Sequence, residues 1–365
     1  MNMFRVNNAS VFLIPLAIFV NAISFEHFSG IEDRLIFKTL SVCILLFIFF
    51  LKHKSLKIRR NDFKYFLIPL FFFCLFFSDL INNGGSSLNA FIRFIATTIF
   101  LIIIINLSKK ELFSVLYNCL SLFMILALLG IAFVFLNLSV GEKIPFINIY
   151  STKSIFFEQN IFGICMFFLF ISIGIFKKPG PVTYGMPVLG IFLSYYRTVY
   201  LLMIIRSILS RYFILIFLIL LIFVFYFSAE LSLIIKIEQL STLTGRDILW
   251  RIGLEGFSES PIFGLGESAI PLYSNEILNR DPAYTTFHNV FVDILFSGGL
   301  VALLVYLLII LYFLTKANKV FWFMFLFFLL APSMLNTYYI FSFNILGGFV
   351  GLVLLYMERI ESKYL

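Results

Sequence analysis

Three side chains are of a type and placement to act on an anionic or hydroxylated substrate: Arg197, Arg246 and His288. Arg197 lies inside the apolar stretch 182–205, where a guanidinium costs about 2.5 to 3.5 kcal/mol on insertion scales and is normally kept for function. It reads either as an anchor snorkelling to headgroups or as an always-charged clamp for phosphate oxygens. The run Thr244-Gly245-Arg246-Asp247-Ile248-Leu249-Trp250-Arg251 reads as a helix start, with Thr244 as N-cap, apolar Ile248, Leu249 and Ile252 on one face, and termination before Pro261. Arg246 and Trp250 are neighbours at i, i+4, as are Asp247 and Arg251, and Arg251 and Glu255. A positive charge in the first turn opposes the helix dipole, which makes sense if an anion binds there. The other reading is an interfacial helix whose Arg and Trp rest on lipid headgroups.

His288 marks a boundary between a polar segment and an apolar run, whereas His27 and His53 fall in connecting segments near charged neighbours. With an ordinary pKa near about 6.5, a histidine can accept a proton from a sugar hydroxyl at neutral pH; an isolated one at a helix start can also be merely interfacial. Asn289 and Asp293 stand at i, i+4 and give the following run a polar strip that either orients substrate or holds the helix in its bundle.

The elements that must position these groups are membrane spans. Of the 365 residues, 61% are hydrophobic and only 13% charged, with 51 Phe, which excludes an ordinary soluble globule, a disordered tail and a disulfide scaffold. Apolar runs near the roughly 20 residues needed to cross a bilayer fall at 11–25, 35–51, 63–80, 91–107, 112–136, 160–176, 212–228, 288–314, 319–335 and 338–357. The first has Arg5 before it and no small-residue cleavage site after it, so it reads as a retained span rather than a signal peptide. Cys43, Cys74, Cys119 and Cys165 each sit alone in an apolar run and read as small buried hydrophobes.

Charge sets the orientation. The excess of 27 Lys and Arg over 19 Asp and Glu, a net +8, lies in short clusters between spans, where topology accounts for it and nucleic acid is not implied. The segment 182–205 has Lys177 and Lys178 before it and Arg206 and Arg211 after it, so a single crossing would place one pair on the wrong side. A broken hairpin turning near Tyr196 and Arg197 resolves this, with arms of about 12 residues, or roughly 18 Å, each too short to cross alone. The tip would then line a cavity, since irregular backbone at membrane depth requires one. Both termini come out cytoplasmic, and residues 229–287 form one long loop on the far side, carrying the amphipathic helix. The expected fold is an all-α polytopic helical bundle of about 12 membrane segments, forming one membrane domain over 1–365.

Other motifs are excluded. Gly264-Leu265-Gly266-Glu267-Ser268-Ala269 has the letters of a dinucleotide fingerprint without the strand and helix to frame it, and reads as a turn. There is no G-x-x-x-x-G-K, no G-x-S-x-G and no His/Cys/carboxylate set with metal spacing. No repeat at fixed period supports an inverted-repeat transporter.

Taken in order, four elements resemble those of the bacterial O-antigen polymerase and ligase superfamily of integral-membrane glycosyltransferases. Phe157-Glu158-Gln159-Asn160-Ile161-Phe162-Gly163 resembles its Pro-Asn element, with Gln159 where Pro is usual; Ser194-Tyr195-Tyr196-Arg197-Thr198 resembles its Ser-x-Ser-Arg element, with Tyr196 for the second Ser. Gly245-Arg246 through Trp250, followed by Pro261-Ile262-Phe263-Gly264-Leu265-Gly266, resembles the long-loop signature, and His288-Asn289 followed by Gly298-Gly299-Leu300 the closing element. The resemblance covers residues 150–315. It implies a GT-C-like fold in the bacterial inner membrane and a transfer, independent of metal and cofactor, of glycan from undecaprenyl diphosphate at the periplasmic face. By position it implies that Arg197 and Arg246 bind the diphosphate and stabilise charge on the leaving group, and that His288 is the general base. Arg251, Asn160, Trp250 and Asn289 become candidates for sugar or lipid contacts. The expected activity is polymerisation of lipid-linked O-antigen or similar surface-polysaccharide repeat units, with lipid-linked donor and acceptor and a chain-length regulator protein as partners. A ligase moving finished polymer onto lipid A-core is the alternative, and a flippase for lipid-linked sugars the alternative from another class.

Overall fold

The computed structural model describes residues 2–21, 34–52, 56–57, 60–83, 88–136, 143–144, 149–150, 159–176, 181–194, 199–200, 202–203, 246–278, 286–316, 328, 330–334 and 338–361. Over these the protein is helical, apart from a two-residue antiparallel pairing of Lys143 with Tyr150 and Ile144 with Ile149. The helices are α1 (Asn2–Val20), α2 (Arg34–Lys52), α3 (Leu67–Asn83), α4 (Leu88–Ile105), α5 (Lys109–Phe135), α6 (Gln159–Phe176), α7 (Pro181–Ser194), α8 (Arg246–Glu259), α9 (Ala269–Leu278), α10 (Val290–Lys316) and α11 (Ile345–Glu361). A 3-10 turn over Arg60–Phe66 leads into α3. Among the described residues, four stretches are long and apolar enough to cross a membrane: Asp62–Asn83, Leu88–Ile105, Lys109–Val134 and Val290–Lys316.

Burial is arranged for lipid rather than water. Phe47, Phe50, Phe73, Phe77, Ile92, Leu304, Leu308 and Leu311 are exposed, while Ser78, Asp79, Thr97, Asp293 and Ser297 are buried. In water that arrangement would leave a large aggregating patch; in a bilayer the apolar faces are solvated by acyl chains and polar groups turn inward to find partners. The chain is an integral membrane protein.

Helix limits follow local chemistry. At α5 the sequence Ser108-Lys109-Lys110-Glu111 closes a capping box, the Glu111 N–H donating to Ser108 Oγ at 3.2 Å and the Ser108 N–H to Glu111 Oε2 at 2.7 Å. The last helix begins at Ile345 rather than at residue 338, because Asn344 caps it through its Oδ1, which accepts the Gly347 N–H at 2.7 Å. Within the span expected at 319–335, Ala331–Met334 is a 3-10 turn containing Pro332, whose missing N–H ends helical pairing there. The span expected at 212–228 and the hairpin tip at Tyr196 and Arg197 lie outside the described residues. The stretch expected as the hairpin's first arm holds α7, and the Tyr200 hydroxyl donates to the Phe192 carbonyl at 2.6 Å.

The chain divides into two compact units, one of Met1–Asn21, Thr39–Leu116 and Gly245–Leu365, the other of Ala22–Lys38 and Tyr117–Thr244. In the second, α6 and α7 pack along one another, with Gly190 seated on Met166. In the first, α3 packs on both α4 and α10, and α8 on α10. One end of this unit is tied by Glu358, which accepts from Lys64, Tyr65 and Tyr312, while Arg359 donates to the last carbonyl of α4, at Ile105 (2.7 Å), and to that of Leu107 just beyond it. The candidate site lies at the opposite end of α10, a helix about 40 Å long at 1.5 Å per residue.

Candidate active site at the start of helix α10

His288 occupies a left-handed backbone conformation, φ +55°, which disfavours a residue with a side chain by about 1 to 2 kcal/mol. Such strain persists only where the surroundings over-determine it, and it concentrates at functional sites. Here both flanks are pinned. On the near side Asp293 Oδ1 accepts the Phe287 N–H at 2.7 Å. On the far side Asn289 caps α10, its Oδ1 accepting the N–H groups of Phe291 (2.9 Å) and Val292 (3.4 Å). The polar pair expected at Asn289 and Asp293 therefore orients the turn holding the histidine. The ring itself is half-buried, with its Nδ1 out of contact with solvent.

Helix α8 is brought onto this turn by apolar packing. Leu249, Ile252, Ile270, Phe287, Val292 and Phe296 form one buried cluster, with Trp250 packed against it. Gly253 and Gly256, a turn apart, admit the rings of Phe287 and Phe296 to the helix backbone. The expected helix thus exists, starts at Arg246 and buries the face that contains Leu249 and Ile252, although Ile248 points outward; its expected cap, Thr244, lies outside the described residues. Arg246 is half-buried at the first position of α8, and Arg251 is exposed. Trp250 Nε1 is buried with no hydrogen-bond partner among the described residues, and an indole N–H has only a proton to offer, so the site presents an unmatched donor.

The segment after α8 is a turn, as expected, but a structural one. Residues 261–266 form a strap that runs beside α10 where that helix is interrupted. The strap donates from Leu265 to the Phe296 carbonyl (2.6 Å) and from Gly266 to that of Ser297 (3.1 Å). In return Leu300 and Val301 donate to Pro261 and Ile262 at 2.9 and 3.2 Å. The interruption sits at Gly299 (φ +62°, ψ −161°), against Gly264 (φ +72°). A Cβ on Gly264 would lie 2.6 Å from Gly298 N and Phe296 O, so the backbones themselves are in contact and only glycine fits.

Beyond the strap lies a polar network that sequence reading missed. Asp79 Oδ1, at the end of α3, accepts from the hydroxyl (2.6 Å) and the N–H (3.0 Å) of Ser268. Asn82 and Asn83 donate to the carbonyls of Gly264 and Leu265 at 3.0 and 2.8 Å. From α4, Arg93 Nη1 reaches both carboxylate oxygens of Glu267, Oε2 at 2.6 Å, and its guanidinium lies 5.7 Å from the centre of the Tyr339 ring. The signal was present: Asp79 and Arg93 are charges inside the apolar runs 63–80 and 91–107, as anomalous by type as Arg197.

Of the sequence-expected site residues, Arg246, Trp250 and Arg251 lie on α8, and His288 and Asn289 at the start of α10, the helix on which α8 packs. Asn160 is half-buried in the first turn of α6, within the other compact unit, and Arg197 lies outside the described residues.

Comparison with curated proteins and with solved structures finds no match. Residues 161–307 match the family described as O-antigen ligase; this segment, about two-fifths of the chain, contains Arg197, α8, the strap and the His288 turn, and excludes Asp79 and Arg93. The match supports the resemblance to the O-antigen polymerase and ligase superfamily that the four sequence elements carry.

Proposed function

We propose that the protein is an O-antigen or surface-polysaccharide polymerase that transfers glycan from undecaprenyl diphosphate onto a lipid-linked repeat unit. The observation that carries the reading is the pinned, left-handed His288 turn packed under the helix that begins with Arg246 and presents the unmatched Trp250 N–H. His288 takes the proton of the acceptor hydroxyl as the new bond forms to the anomeric carbon. The bond from that carbon to the diphosphate oxygen breaks, with inversion, and the lipid diphosphate leaves carrying the electron pair. Arg246 and Arg197 stabilise the charge that accumulates there, an electrostatic contribution that is large in a site shielded from water. Trp250, Arg251, Asn160 and Asn289 contact sugar or lipid, with Trp250 Nε1 donating to a substrate oxygen.

In this reading residues 229–287 face the periplasm of an inner-membrane, GT-C-like bundle of about 12 segments forming one membrane domain, both termini are cytoplasmic, and a chain-length regulator acts on the polymer. Catalysis needs neither metal nor cofactor. The ligase reading shares the machinery and differs in acceptor. The test is the lipopolysaccharide pattern of a strain lacking this chain, complemented with wild type or His288→Ala. Core bearing a single repeat unit is the expected result in the null strain; bare core with accumulated lipid-linked polymer would identify a ligase. Purified protein in detergent should lengthen glycan, and no turnover there would favour a flippase.

A further inference from the structure

The strap after α8 is gripped from both sides, and the grip on its outer side comes from residues with no chemical part in the transfer. Its inner side is bonded to α10 eight to thirteen residues beyond His288, through the four backbone bonds at Phe296, Ser297, Leu300 and Val301. Its first residues continue α8 directly, Gly264 N donating to Ser260 O at 2.8 Å and Ser260 N to Phe257 O at 3.2 Å. Its outer side is bonded to α3 by Asp79, Asn82 and Asn83 and, through Glu267, to Arg93 of α4. The strap continues α8 and is bonded to α10 beside its break at Gly299, so where the strap lies bears on how α8 meets the His288 turn. The Arg93–Glu267 pair and the Asp79–Ser268 bonds are the charged contacts that hold it on its outer side. Glu267 is largely buried, Arg93 is half-buried and Asp79 is fully buried. In so poorly hydrated a place a charge-assisted pair is geometrically demanding, and removing one partner leaves the other uncompensated.

We propose, on the basis of the transfer reading above, that Arg93 and Asp79 are positioning residues: they clamp residues 264–268 onto α3 and α4 and so fix Arg246 and Trp250 relative to His288. Displacement of a catalytic group by about 1 Å can cost on the order of a hundredfold in rate without a loss of binding, and that split is what the proposal requires.

The test joins a distance measurement to kinetics on the full-length protein in detergent. Spin labels are placed at Leu254→Cys in α8 and Leu304→Cys in α10, both exposed, after the four native cysteines are replaced by Ala. The expected result is a narrow distance distribution in the otherwise wild-type chain, broadened in Arg93→Gln and narrowed again when Arg93→Glu is combined with Glu267→Arg. With lipid-linked glycan as substrate, Arg93→Gln and Ser268→Ala should lower kcat by roughly ten- to a hundredfold with KM within about threefold, and the charge swap should recover about tenfold over Arg93→Glu alone. Ser268→Ala removes no charge and tests the same clamp if the arginine variants fail to fold. An unchanged distance distribution, a rise in KM with kcat intact, a swap no better than its parent, or a broadened distribution with normal kcat each overturns the proposal; the KM result would make Arg93 a substrate contact. If the wild-type protein transfers no glycan, the functional reading fails, and the distance distributions alone decide whether the clamp holds α8 to α10.

Discussion

Asp293 reaches back from the first turn of α10 to accept the N–H of Phe287 at 2.7 Å, spanning the left-handed residue His288. The bond does for the histidine what a second-layer carboxylate does in many sites, but through the backbone rather than the ring. Asp293→Ala would strand a buried N–H, a loss of about 1 to 3 kcal/mol, and release the turn. The expected outcome is a ten- to hundredfold fall in transfer rate, by rough analogy with other misplaced catalytic groups, at near-normal membrane level. Asp293→Asn keeps an acceptor at the same place and should lose less. Rates in detergent beside immunoblots check both.

The two roles of position 288, backbone and ring, can be separated. Asparagine tolerates the left-handed region well and lacks a base of suitable strength. His288→Asn should therefore fold and accumulate like wild type while making no polymer, and His288→Ala should be inactive with somewhat lower stability. His53→Ala, in a connecting segment, should leave the gel pattern unchanged. Near-normal polymer from His288→Asn would remove the general-base assignment and leave only the turn.

The contact between Gly264 and Gly299 predicts an asymmetry among glycines. Gly264→Ala or Gly299→Ala places a methyl group onto backbone atoms of the opposite strand at a positive φ, a combination expected to lower stability by more than about 2 kcal/mol. Gly185, in α7, has nothing within 4 Å of an added Cβ, and Gly185→Ala should be neutral or stabilising by up to about 1 kcal/mol. Thermal unfolding in detergent would separate the two classes.

At the far end of α10, Glu358 gathers Lys64, Tyr65 and Tyr312. Glu358→Gln removes the shared acceptor charge for all three, some distance of roughly 35 Å from His288 by helix rise. It should lower the melting temperature through a loss of about 1 to 3 kcal/mol while kcat of the folded fraction stays within about twofold. A large fall in kcat would show that this end of the bundle is coupled to the site.

Much of the protein was legible without coordinates. Hydropathy located α2 to α6 and α10 to within a few residues, because a membrane helix must be apolar along its whole length and that signal survives any packing; α1 starts nine residues before the expected run, over a polar stretch that hydropathy passes by. The cap at Asn344 and the proline at 332 shifted limits that hydropathy cannot see, since both act through single hydrogen bonds. Arg246, Trp250 and His288 stood out by type, and order along the chain linked them to a family.

What only the tertiary structure decided is how those residues are held. The letters of Gly264 and Gly266 announce a turn but not that it lies, as bare backbone, against a break of α10 at Gly299. Asn289 and Asp293 announce a polar strip but not that it pins a strained turn from both sides. Asp79 and Arg93 lie some 175 to 190 residues from the segment they clamp, and a bond between such distant positions leaves no periodicity in the sequence. Local pattern determines which helices form because the bilayer imposes it residue by residue. Partner choice among buried charges depends on which helix ends meet, and that is settled only when the bundle packs.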